Sequence, residues 1–496
     1  MASRERISPV DTAWLRMDRP NNLMAIVGVM SFAGKLKREH LKRLLEDRLL
    51  RYRRFRQKVT SDASGSWWED DADFDIDLHL HRTALPGAGG KVELQQLVAE
   101  LIASPLDRER PLWQFHLVEN YRGEDGSATA MILRIHHAIG DGIALIGVIR
   151  SLTDATALPE PVAIRRADKE VEESDLWRLF FAPMSAAMQA SIHLTGSLWA
   201  KSLGLMLDPG QVLDGVKAGA GIATEMARLA AMPNDAPSRL KGIPGVAKRV
   251  AWSEPIPLPE IKLVGKLFGC SVNDVLLSAV TGALAAYLAE KGDSLGETGI
   301  RALVPVNLRK CEEAGDLGNC FGMVTLDLPV GIANPLARLY AIRSRMEELK
   351  HSYQAMAVLT ILALVGLLPK FVQSMLLDLL ANKASAVMTN VPGPTEPCYL
   401  AGARISQEMF WVPQSGNICM GVSILSYDGK VQFGLVTDAG LVPDPERVIA
   451  CFAPEFEKIL YILLLEADSP ALSAAEVEDR LAPALARARP RRKARA

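Results

Sequence analysis

The stretch Arg134-Ile135-His136-His137-Ala138-Ile139-Gly140-Asp141-Gly142 sets the architecture of this chain. On its N-terminal side, residues 128–135 (ATAMILRI) are dense in apolar and β-favouring types and predict a buried strand. On its C-terminal side, Ile143, Leu145, Ile146, Ile149 and Leu152 predict a helix, with Asp141-Gly142 standing where its cap belongs. The segment thus occupies a strand-to-helix turn, a usual place for reactive side chains on a mixed α/β framework. The chain has only 8 His, so two adjacent ones at fixed spacing from Asp-Gly make a specific signal. A neutral imidazole, with a reference pKa of ~6.5, takes up a proton at neutral pH. An alcohol attacks well only while such a base accepts its proton, a contribution of ~10²–10⁴ in rate. A thioester carbonyl under that attack needs no metal, but it needs a donor for the developing oxyanion, worth roughly 3–4 kcal/mol.

Competing chemistries lack their residues. There is no G-x-S-x-G elbow for a serine hydrolase, and no Walker loop or G-x-G-x-x-G to cradle nucleotide phosphates. His136, His137 and Asp141 make a poor metal set, because adjacent side chains on a strand point to opposite faces. The six Cys (270, 311, 320, 398, 419, 451) show no C-x-x-C spacing, so neither a zinc site nor a redox pair is expected.

Working outward, 496 residues exceed one ordinary core and predict two domains. With 49% hydrophobic and 23% charged residues the chain is globular in composition, and a net charge of -2 argues against a general nucleic-acid binder. Residues 1–160 alternate helical and strand-like pieces around the motif. Residues 159–173 shift to Pro and charge, and a helical stretch follows with Trp177, Phe180, Phe181, Met184, Met188, Ile192, Leu198 and Trp199 on one face. Residues 161–245 therefore read as a helical linker and 246–468 as a second mixed region. That region has a helix over 273–288, strands at 301–306 and 421–426, and a turn at Pro392-Gly393. Residues 469–496 form a tail that ends in Arg487, Arg489, Arg491, Arg492, Lys493 and Arg495. The charged N-terminus has no apolar signal core, which predicts a cytoplasmic chain. The longest uncharged apolar run found, 355–368, is short of the ~18 residues of a spanning helix, so attachment to a lipid surface is expected to be peripheral. After it, Lys370, Ser374, Asp378 and Asn382 recur every four positions opposite Phe371, Val372, Met375, Leu376, Leu379 and Leu380. This is an amphipathic helix whose apolar face packs either on the core or on lipid.

The His-His-x-x-x-Asp-Gly segment resembles that of the chloramphenicol acetyltransferase and peptide-synthetase condensation-domain superfamily. Further pieces narrow the resemblance to the bacterial wax ester synthase/diacylglycerol acyltransferase family. They are Ser8-Pro-Val-Asp11-Thr-Ala-Trp14, Pro105-Leu-Asp-Arg108, Arg110-Pro-Leu-Trp113, Pro237-Ser238-Arg-Leu240, Asn273-Asp274-Val275, Val304-Pro-Val-Asn307-Leu-Arg309, Gly318-Asn319 and Thr389-Asn390-Val-Pro392-Gly-Pro394. The resemblance implies two chloramphenicol-acetyltransferase-like α/β domains, mixed sheets flanked by helices, with an active-site tunnel between them. It implies an acyl-CoA co-substrate, a long-chain alcohol or diacylglycerol as acceptor, no cofactor or metal, and work at a membrane or lipid-droplet surface. His137 is then the general base, with direct attack and no acyl-enzyme, and Asp141 an ion-pair partner that shapes the turn ahead of Gly142. No His follows His351, so one active site per chain is expected.

The residues themselves leave some roles open. His136 is expected to point away from the site and serve structure. Asp141 is a helix cap or the partner of Arg309. Asn273 either donates to the oxyanion or caps the helix that follows. His79 and His81 are expected at the surface. The cluster Arg51, Arg53, Arg54, Arg56 and Lys58 either meets CoA phosphates or anionic lipid, or is a solvated helix end.

Overall fold

The computed structural model describes residues 4–63, 65–157, 209–293, 299–308, 317, 319–350, 352–368 and 370–466, with backbone alone for 209–219. The stretch predicted as helical through Trp177 and Trp199, Arg309, Gly318 and the basic tail lie outside the described residues. The motif strand Ser127–His136 is buried along nearly its whole length, as a near-continuous apolar run requires of a strand covered on both faces. It sits at the centre of a seven-stranded sheet, between Trp113–Val118 and Ala25–Ala33. Beyond Ala25–Ala33 the sheet continues with Ala403–Trp411, Tyr399–Leu400 and Thr153–Asp154, and on the other side with Leu80–Thr83. Residues 399–411, far along the chain, therefore complete the sheet that carries the motif.

A second seven-stranded sheet is built from later sequence. Phe321–Leu328, Ile300–Asn307, Ala386–Pro392, Met420–Tyr427, Lys430–Asp438 and Ile256–Pro257 lie in that order, and Lys248–Trp252 also pairs with Lys430–Asp438. Ala386–Pro392 runs parallel to both its neighbours and the other pairs are antiparallel, so the sheet is mixed. The helix Val272–Glu290 covers it, and the helix Pro445–Glu466 packs on that helix. By length and composition Val272–Glu290 is apolar enough to cross a membrane, a stretch the run-length reading passed over. Its side chains from Asp274 to Leu288 are almost all buried in the core of this sheet, which accounts for its apolar character.

The short helix Pro9–Met17 carries Trp14 to the site. In Pro9–Met17 Ser8 Oγ accepts from the Asp11 N–H at 3.0 Å, and Pro9 at the first position is pre-set for helix. Against its outer side lie the helices Gln354–Leu367 and Lys370–Ala381. Arg16 donates to the Leu368 carbonyl at 3.0 Å, and Gln373 Nε2 to the Ala13 carbonyl at 3.1 Å. The predicted amphipathic helix is present, but only Gln373 and Ala381 of it are buried. Phe371 is 77% exposed, Met375 67% and Leu379 45%.

Two surface expectations fail. His79 is buried against Trp113, 4.5 Å between ring centroids, with Nδ1 2.7 Å from the Trp113 carbonyl. His81 stacks on His116 at 4.9 Å in the adjoining strand. His79 is buried and His81 half-buried, and a His in a polar stretch carries no sign of the ring it will stack on. The basic cluster is largely neutralised within its own small sheet, where Arg53 pairs with Asp70, Arg54 with Glu5 and Lys58 with Asp71.

Candidate active site

The site begins where the motif strand stops. The His137 N–H donates to the Met24 carbonyl at 2.7 Å, so the turn remains tied to the neighbouring strand after the ladder ends. Alternation then sends the two imidazoles to different places. His136 Nδ1 accepts from the Ala138 N–H at 3.1 Å, which leaves Nε2 to carry the proton, 3.4 Å from Asp18 Oδ2. His136 is not among the residues that line the chamber.

His137 is buried, and its ring lies flat on Trp14, 4.0 Å between centroids with an 11° interplanar angle. Phe321 closes in at 5.4 Å. Loss of water around the ring pushes its pKa down to about 4, and the Asp141 charge, its own carbonyl and Asn319 only partly oppose this. The imidazole is therefore neutral at physiological pH. Nδ1 is buried with no partner from another residue among the described residues.

Asp141 is a helix cap. Its Oδ1 accepts from the Ala144 N–H at 2.9 Å, at the start of the helix Gly142–Leu152. Its Oδ2 accepts from the Cys320 N–H, also at 2.9 Å, and so ties the motif to the residue that opens the strand Phe321–Leu328 of the second sheet. Asn319, next in line, donates to the His137 carbonyl at 2.8 Å and to Asp11 Oδ1 at 2.6 Å. Burial raises the Asp11 carboxyl above its ordinary range, and the Asn319 bond opposes that rise. One asparagine thus joins the Trp14 helix, the His137 turn and the second half of the chain.

The chamber these groups face has a volume of about 1240 Å³, counting its open mouth. Trp14, His137, Asp141 and Gly142 line it from one side, and Val304, Asn390 and Asn273 from the other. Asn273 does not cap its helix. Ser271 does, accepting from the Asp274 N–H at 3.1 Å in a box completed by Asp274. Asn273 instead turns its amide into the chamber, where its Oδ1 accepts from Asn390 Nδ2 at 3.0 Å. Trp14 and Asn319 stood inside short motifs without a role being legible, and Asn390, which with Pro392-Gly393-Pro394 reads as a turn, lies instead within the strand Ala386–Pro392. Phe321 had no sequence signal beyond its place after Asn319.

The wax ester synthase/diacylglycerol acyltransferase catalytic domain matches residues 7–276, and the C-terminal domain of the same family matches 317–460. The probable diacylglycerol O-acyltransferases tgs1 and tgs2 of Mycobacterium tuberculosis are similar along most of both chains. For tgs1 the identity is 29% over 417 residues, 81% of this chain and 83% of that one. For tgs2 it is 30% over 407 residues, 77% and 81%. In fold, the chain is similar to the wax ester synthase/diacylglycerol acyltransferase of Marinobacter aquaeolei VT8, with a TM-score of 0.63 at 19% identity over 92% of this chain and 99% of that one. The starter condensation domain of rhizomide synthetase follows the same fold with a TM-score of 0.58 at 14% identity over 95% and 96%. The chain belongs to the wax ester synthase/diacylglycerol acyltransferase family and is an acyltransferase.

Proposed function

We propose that this member of the family moves the acyl group of an acyl-CoA onto the hydroxyl of a long-chain alcohol or a diacylglycerol, with His137 as the general base. The observation that carries the reading is a neutral, desolvated imidazole at the wall of a large chamber built by both sheets. Nδ1 is buried without a hydrogen-bond partner among the described residues, so Nε2 is the nitrogen assigned as the base. As the hydroxyl oxygen attacks the thioester carbon, its proton passes to Nε2. The tetrahedral intermediate then collapses, the carbon–sulfur bond breaks, and the CoA sulfur takes the proton back from the imidazolium. Ester and free thiol leave, and no acyl-enzyme forms. The low pKa that burial imposes makes that imidazolium a strong acid, suited to the second transfer. Asn273, with its oxygen already engaged by Asn390, has its amide N–H₂ left for the oxyanion.

The acceptors are insoluble, so the reading extends to a lipid surface. Leu364, Leu367, Phe371, Met375 and Leu379 form an exposed ridge on the two helices that back the Trp14 helix. Exposed large apolar side chains set together in this way commonly meet another surface. The basic tail, outside the described residues, adds cations at about 1 kcal/mol each near an anionic leaflet. Two experiments test the reading. Release of free thiol from palmitoyl-CoA should depend on added hexadecanol or dioleoylglycerol, and release without either acceptor rules out transfer in favour of hydrolysis. Flotation with vesicles should weaken in Phe371→Glu/Met375→Glu, and unchanged flotation removes the ridge from the docking surface.

A further inference from the structure

A second chamber of about 820 Å³ lies behind the motif helix Gly142–Leu152. It shares Gly142, Val391 and Phe410 with the catalytic chamber, so the two adjoin at these residues. Gly142 stands at that boundary with open space where a Cβ would project. The walls are apolar, with Leu133 and Ile135 from the sheet, Ile146 and Ile149 from the motif helix, and Leu425 from the second sheet. Alone this is a space for a hydrocarbon chain.

Glu408 does not fit that description. It lies on the strand Ala403–Trp411 opposite Met30 and lines the chamber, and its carboxyl makes no hydrogen bond among the described residues. Its seat is shaped for it: a Cβ built on Gly393 would come within 2.9 Å of Glu408 Oε1. Arg150, solvent-exposed and also on the chamber lining, is the charged neighbour that acts on it. Burial dominates, and the carboxyl is pushed up to about 7. A carboxyl without a partner is a costly lining for a cavity that takes only hydrocarbon, where Leu or Met would serve better. The group that satisfies it in either protonation state is a hydroxyl, which accepts from the acid and donates to the carboxylate.

We propose that this chamber receives an acceptor chain that bears a second hydroxyl, besides the one that is acylated, and that Glu408 recognises it. The proposal rests on the acyl-transfer reading only in treating the occupant as a substrate. Glu408 is a specificity residue here, separate from the His137 chemistry.

The test compares hexadecanol with hexadecanediols whose second hydroxyl stands at different positions along the chain. Thermal melting of the intact protein reports binding without turnover, because a ligand that binds the native state raises the midpoint. In the wild type at least one diol should raise it more than hexadecanol does. The kcat/KM of that diol relative to hexadecanol should fall by roughly tenfold in Glu408→Leu, chiefly through KM, and be largely kept in Glu408→Gln, whose amide also bonds a hydroxyl. Glu408→Met serves if the Leu variant does not fold. Equal melting shifts for all chains in the wild type, or a ratio unchanged in Glu408→Leu, overturns the proposal. If the wild type releases no thiol with any acceptor, the acyl-transfer reading falls, and the melting comparison still decides whether Glu408 selects hydroxylated chains.

Discussion

The two sheets bring corresponding strand ends to one chamber and equip them differently. Ser127–His136 runs into a turn with an ionisable base, His137, and a carboxylate, Asp141. Ala386–Pro392 reaches the same chamber with Thr389 and Asn390, and its neighbour on the adjoining helix is Asn273. One side offers a group that takes up a proton, and the other offers amides, which hold dipoles but do not titrate. In the mechanism proposed above, a single proton acceptor suffices for the reaction. The second half of the chain is thereby left to supply walls, donors and the Asn319 and Cys320 contacts that hold the base in place. If the proposed mechanism holds, the comparison accounts for a proton acceptor on the first strand end and none on the second among the described residues.

Substitutions on each side sharpen that division. His137→Ala should lower thiol release by ~10²–10⁴ or more in kcat while leaving the fold intact. Near-normal release would break the comparison outright. Asn273→Ala should lower kcat by about 10²–10³ and leave KM nearly as it was, because an oxyanion donor acts in the transition state. A change in KM alone would make Asn273 a wall residue. His136→Ala should cost folded protein more than specific activity, since its ring accepts from the turn and lies 3.4 Å from Asp18.

How much of this was legible in sequence follows the same division. The motif side was readable because His-His-x-x-x-Asp-Gly is contiguous, and a contiguous strand-turn-helix shows its own periodicity and cap. The helix and strands of the second half were readable from apolar pattern too, since Val272–Glu290, Ile300–Asn307 and Met420–Tyr427 fall where expected. What stayed hidden depends on contacts between distant segments. Strand Ala403–Trp411 joins the first sheet, Trp14 stacks on His137 from 123 positions away along the chain, and Glu408 meets an apolar chamber. No local pattern encodes those meetings. Asn273 was ambiguous for the opposite reason: Ser271 two residues earlier offers the same cap chemistry, and only geometry shows which residue uses it.

The buried base also leaves a mark on stability, which the amide side does not. His137 is held near pKa 4 in the folded chain against 6.5 for the exposed imidazole. Between those values the unfolded chain binds the extra proton, so stability falls as pH drops from about 6.5 toward 4. The His137 share is on the order of 3 kcal/mol across that window, at 1.36 kcal/mol per unit. His116, pushed to about 3, and His79 and His81, also lowered by burial, act in the same direction. The His137 part is therefore read as a difference. Urea midpoints of His137→Gln should decline less steeply with falling pH than those of the wild type, whereas Asn273→Ala should keep the wild-type slope. Parallel slopes for all three would mean that His137 is not desolvated in solution.

The smallest effect probes the tie between the halves. Asp141 accepts with both oxygens, one from the Ala144 N–H of its own helix and one from the Cys320 N–H of the other sheet's entry. Asn serves the first role about as well as Asp, since both are good caps. It cannot serve both, because its second atom is a nitrogen that would face the Cys320 donor. Asp141→Asn should therefore leave the helix capped and weaken the tie between the motif and the second half. About 1–3 kcal/mol is expected for one buried donor left without its acceptor. Activity should fall with it, because the negative charge that favours an imidazolium on His137 is also gone. Urea unfolding at neutral pH reads the first effect and thiol release well below the midpoint reads the second. A lower midpoint with a matching loss of rate places Asp141 among the residues that hold the site together. An unchanged midpoint with lost activity moves it to the reacting side, and the boundary drawn between the two strand ends then has to include it among the groups that act on the substrate.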